Sequence, residues 1–179
     1  MSLDQVYAPA NYEVALRGWI VGVLADLAVP INGDKIYYAN QPEMPRQCRP
    51  FVTLQVLNVS PVGSKPNIIT TDDQAVGPPQ TEYRTVLKQE RRGTVSINVF
   101  ADNHREVIEC LVTSLHMPNH QALIDSVGLT LLEPISTVDN ATIAGPEWEL
   151  RSQADFPFSF SLQSEFNLPG IETVNPTQT

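Results

Sequence analysis

The sequence predicts an α+β fold, and three stretches carry that expectation. From Arg91 to Met117, RRGTVSINVFADNHREVIECLVTSLHM, a strand runs directly into a helix. Val95, Ile97 and Val99 alternate with Thr94, Ser96 and Asn98, the period of a half-buried strand. Beyond Ala101, the spacing of Val107, Ile108, Leu111, Val112 and Leu115 makes one apolar stripe on a helix. Glu147–Leu162 alternates for longer still, with Trp148, Leu150, Ala154, Phe156, Phe158, Phe160 and Leu162 all at even positions. Near the N-terminus, Leu16, Trp19, Ile20, Val23, Leu24 and Leu27 recur at helical spacing.

Composition bounds the rest. A chain of 179 residues with 42% hydrophobic and 17% charged residues suits one globular domain with a substantial core. The formal net charge of −9 opposes binding of free nucleic acid or an anionic membrane over the whole surface. The first 30 residues lack the basic, apolar, small-residue order of a signal peptide, and no apolar run approaches a membrane span. A cytoplasmic protein is expected. Cys110 reads as a reduced, packed residue, and nothing demands a disulfide with Cys48.

Taken in order, residues 1–9 read as a short arm. Asn11 is placed to cap the first helix, which must end before Pro30 because the residue preceding a proline avoids helical backbone. Trp19 lies on the apolar stripe and reads as a core anchor. Lys35–Ala39 is a short strand, and a proline-rich connection follows. Phe51–Ser60 is a strand near the sheet centre, with a slip of alternation at Val56-Leu57 that signals a bulge. Residues 61–80 are read as a long irregular loop, either a hairpin tip or a segment covered by a partner. Residues 81–90 form a strand leading into the central unit. Lys88–Arg92 is a small charge cluster that fits an exposed face better than a phosphate site.

Asn103 with Glu106 forms a capping box for the central helix, which Pro118 stops. Asn119 then caps a short helix closed by Gly128 at the C′ position. Leu129–Leu132 is a strand, and Ser136–Pro146 a loop. Pro157 lacks a ladder donor, so the long last strand is expected at an edge or bulged there. Such an edge asks for a covering neighbour. Residues 165–179 leave the sheet as an extended tail.

No catalytic constellation emerges. His116 and His120 have the four-residue spacing of metal ligands on one helix face, but Pro118 separates them and no third ligand is adjacent. Two surface histidines at a helix end explain them, and His104 in a first turn needs no function. No serine has nucleophile-elbow context, the nine glycines are scattered, and Asp72-Asp73 lies in a loop with no apolar pocket to raise a pKa. The sequons at Asn58 and Asn140 mean little without a secretory signal. No enzyme, cofactor or metal is expected.

The order of segments resembles the phage neck and tail terminator (tail completion) proteins. The resemblance rests on ALRGWIVGVL, YANQPEMPR, PFVTLQVLNVS, RRGTVSINVFAD, REVIECLVTSL, GLTLLEP and RSQADFPFSFSL, with GIETV in the tail. It implies a mostly antiparallel, mixed sheet with two main helices packed on one face, as a single domain over residues 1–179 with extended segments at 61–80 and 165–179. It also implies a homohexameric ring at the head-proximal end of the tail. The ring terminates tube and sheath assembly, contacts the neck connector and lets DNA pass without binding it. The setting is then the virion, assembled in the host cytoplasm. Two other readings stay open: another head–tail joining or tail tube component, and an unrelated cytoplasmic ligand-binding α+β domain. Ile68, Ile69 and Val76 in the loop, with Leu168, Ile171 and Val174 in the tail, are the candidate interface residues, being apolar in segments too sparse to bury them alone.

Overall fold

A computed structural model describes residues 5–7, 12–39, 49–63, 67–71, 82–144 and 147–169. Two strands set its frame. β5 (Glu82–Phe100) and β8 (Glu147–Pro169) pair antiparallel without interruption from Glu82↔Pro169 to Val99↔Ser152. At about 3.3 Å per residue, β5 alone runs roughly 60 Å.

Shorter strands flank this ribbon. On the outer side of β5 lie β3 (Phe51–Pro61) and β4 (Asn67–Thr71), with β2 (Ile36–Tyr38) parallel to β3 beyond it. On the outer side of β8 lie β1 (Gln5–Tyr7), β6 (Leu129–Leu131) and β7 (Ser136–Ala144). Every pairing except β2 with β3 is antiparallel, which makes the sheet mixed and mostly antiparallel.

Alternation decides which face is buried. Directly opposed residues share a face, so Val52, Val99 and Ser152 form one row, Leu54, Ile97 and Ala154 the next, then Val56, Val95 and Phe156. Helices α1 (Tyr12–Asp26), α2 (His104–Ser114) and α3 (Pro118–Asp125) complete the core on this side. Trp19 of α1 meets Phe156 edge-on at 5.6 Å, and Tyr12 stacks on Phe160 at 5.6 Å. Phe156 and Phe158 are fully buried, each contributing about 1.5–3 kcal/mol by area. The opposite face carries Thr53, Asn98 and Gln153 in one row and Gln55, Ser96 and Asp155 in another.

The bulge expected at Val56-Leu57 is present: the β3–β5 register shifts between Val56 and Asn58. It moves the inward position from even to odd numbers, so Val59 packs on the core while Leu57 stays exposed. Gly93, opposite Val59, fits this close approach because a Cβ there would sit 2.6 Å from both Asn58 O and Phe158 Cζ.

Several expectations are corrected. Ser136–Ala144 is strand β7, not loop; the polar pair Asp139-Asn140 interrupts its β-formers, yet the hairpin ladder with the directly following β8 overrides it. Asn67–Thr71 within the expected 61–80 loop is strand β4, held by its ladder with β5. Residues 165–169 of the expected tail continue β8, paired with β5 and, at Glu165, with β1. The strand expected over residues 81–90 is present from Glu82 and leads without a break into 91–100.

β8 is not a sheet edge, since strands flank both sides. Pro157 is accommodated locally: Leu132 N–H donates to Pro157 O at 2.8 Å, just where β6 has ended and β7 has not begun. The missing donor therefore faces the gap between two short strands.

Asn103 occupies the N-cap of α2 at φ −99°, ψ 34°, outside the extended region, and makes no side-chain capping bond. Pro118 begins α3 at its first turn after α2 has ended at Ser114, and Met117, not Asn119, is the cap. Gly128 holds its positive φ of 73° one place beyond C′, because the cap is Ser126.

Gly93→Ala is expected to lower unfolding free energy by about 1–3 kcal/mol through overpacking against backbone. Gly18→Ala, on the exposed side of α1 with no atom within 4 Å of the added Cβ, should raise it by about 0.5–1 kcal/mol. Urea unfolding of the two variants measures both.

Candidate functional site

Polar side chains converge where α2 begins. His104, 7% exposed, places Nδ1 2.6 Å from Ser152 Oγ on β8. Ser152 Oγ donates to Asp139 Oδ1 on β7 at 2.9 Å, and Arg105 pairs with the other carboxylate oxygen. The hydrogen bond from Ser152, then that from Arg105, holds the Asp139 carboxyl below the usual carboxylate range.

The residue types match a hydrolytic triad, but the order of bonds does not. A nucleophilic serine gives its hydrogen to an imidazole lone pair, with the carboxylate behind the imidazole. Here Ser152 spends its single hydrogen on Asp139 and accepts from His104 Nδ1–H. The group is a clasp tying the start of α2 to the β7–β8 hairpin.

The other histidines act separately. His116 Nε2 lies 3.4 Å from Glu133, both exposed. His120 is only 1% exposed, correcting its expected surface position, and Nε2 meets Asp26 Oδ2 at 3.0 Å, joining α3 to the end of α1. Among the described residues, no three His, Cys, Asp or Glu side chains come together as a metal site. A cavity of about 210 Å³ beside Trp19, His120 and Ile124 falls below the usual range of ligand pockets.

The candidate interface residues fall into two groups. Ile68 and Ile69 stand on β4, opposite Leu87 and Val86, and Leu168 stands on β8, opposite Tyr83. The register thus brings Ile68, Ile69 and Leu168 to the end of the ribbon distant from α2. Val76, Ile171 and Val174 lie outside the described residues.

Sequence reading missed the surface formed by β7. Val138 there is 48% exposed, and among the described residues the strand pairs with β8 on one side only. Thr137, Val138, Thr142 and Ile143 were the legible β-formers, masked by the polar pair between them.

The model of a family described as phage neck terminator protein matches residues 11–179. The chain belongs to that family. No curated protein sequence matches it. Neck terminators are structural proteins, so this chain is a virion component of the phage neck that associates with other tail and neck proteins. Among the described residues, no helix of this neck terminator is long and apolar enough to cross a membrane.

The Asp139 clasp has a pH signature. A carboxyl with a depressed folded-state pKa contributes stability that is fully present above its unfolded value, about 3.9 for Asp, and is lost as pH falls through the folded pKa. Asp139→Asn should therefore be less stable than the parent at neutral pH, with the difference closing below about pH 4. Thermal melts of both proteins from pH 7 downward measure it; a gap constant with pH would contradict the clasp.

Proposed function

We propose that copies of this chain close into a homohexameric ring at the head-proximal end of the tail. The ring ends polymerisation of the tube, and of the sheath where one is present, and offers its other surface to the neck connector. The family match over residues 11–179 carries this reading. The chain acts as one unit over residues 1–179, and its function is surface complementarity repeated by symmetry. Ile68, Ile69, Val76, Leu168, Ile171 and Val174 contribute to its subunit and partner contacts. The net charge of −9 suits a passage that DNA must cross without sticking, because like charge opposes binding.

In a phage carrying this protein, interrupting its gene is expected to leave filled heads without joined tails, together with tubes of uncontrolled length. Electron microscopy of the lysate reads this directly. Normal virions with tails of regular length would overturn the proposal.

A further inference from the structure

Among the described residues, the outer edge of β7 is an unguarded sheet edge. Leu132 N–H bonds Pro157 O, so the hydrogen-bonding groups of Pro157, and by alternation those of Asp155, Gln153 and Arg151, face β6 and β7. Their partners Ser136, Val138 and Asn140 close the ladder with β8. Thr137, Asp139, Ala141 and Ile143 consequently turn their N–H and C=O groups away from it, with no backbone partner among the described residues.

Natural edges are protected by Lys, Pro, bulges or shortness. β7 is nine residues long, contains neither Lys nor Pro and keeps an unbroken register, and its one charge, Asp139, is neutralised by Arg105. The edge formed by β2 differs. β2 is three residues long, and Arg17 Nε donates to Ile36 O at 3.1 Å.

We infer that the β7 edge accepts residues 170–175 of a second copy of this chain as an added strand. The inference rests on the ring reading and names one of its contacts. The segment GIETVN holds β-branched Ile171, Thr173 and Val174 and is closed by Pro176, which cannot extend a ladder. Reach excludes pairing within one chain. The six residues from Gly170 to Asn175 extend at most about 22 Å beyond Pro169. The nearest part of β7 pairs at Asp155, fourteen residues back along β8, about 46 Å away. The accepting β7 therefore belongs to a neighbour whose hairpin lies against the far end of the donor's ribbon. That contact is head-to-tail, the kind that repeats into a ring when the rotation closes. Main-chain bonds would supply the affinity, as in other strand additions.

The test uses full-length chains in which Cys48 and Cys110 are replaced by Ser. One carries Ala141→Cys and the other Val174→Cys, mixed and oxidised with and without tail tubes. A disulfide-linked pair of chains is expected. Separately, truncation after Pro169, and Ala141→Pro, which removes an outward donor and leaves the β8 ladder intact, should each raise the assembly midpoint about tenfold or more. A ring that forms with neither cross-link nor weakening overturns the inference and leaves the ring reading standing. Variant rings of normal mass that no longer hold tubes would assign the edge to the tube protein and overturn it too. A parent chain that stays monomeric even with tubes defeats the ring reading, and the inference with it.

Discussion

The antiparallel pairing of β5 with β8 is the constraint on which the rest depends. It aligns Val95, Ile97 and Val99 with Phe156, Ala154 and Ser152, so one face of the sheet is apolar before any helix arrives. The helices then cover a surface already defined. Trp19 and Tyr12 seat α1 on the phenylalanines, and the His104–Ser152–Asp139 clasp fixes where α2 starts. Displacing β8 by one residue would turn Phe156, Phe158 and Phe160 to the polar face and remove the platform.

The same ribbon extends past its helices. β4 and β1 pair with the portion of β5 and β8 beyond Arg91 and Phe160, whereas α1 and α2 meet the sheet at Ser152, Phe156 and Phe160, over the core that holds Val95, Ile97 and Val99. One half is thus an ordinary layered core. The other is a four-strand extension carrying Ile68, Ile69 and Leu168 in its register, the end of the ribbon on which the proposed contacts fall. This division agrees with a protein whose work is to fit others, and with a family whose members are structural.

Local periodicity made the long-range frame partly legible. Residues 94–99 and 147–162 announced their strands because one face of each is buried, and the stripes on α1 and α2 announced helices for the same reason. The β3 bulge was visible as a slip in alternation. β7 and β4 were not, because neither carries a sustained apolar–polar alternation of its own, and each is held by its ladder with the strand that follows it: β8 for β7, β5 for β4. Pro157 misled for a related reason. Its chemistry forbids a donor, but only the gap between β6 and β7 shows that a nearly central strand can tolerate one. The clasp was equally hidden, since His104, Asp139 and Ser152 lie far apart in sequence and meet only through the β7–β8 register. The family resemblance spanned the chain because order and spacing survive where single segments are unspecific.

Mass in solution is the most direct test of a function exercised through assembly. Light scattering on a size-exclusion column, over a range of concentrations and with purified tail tubes added, should reveal a discrete hexamer-sized species, free or bound at tube ends. A protein that remains monomeric throughout and leaves tube ends unoccupied would contradict the ring and return the chain to the class of solitary binding domains.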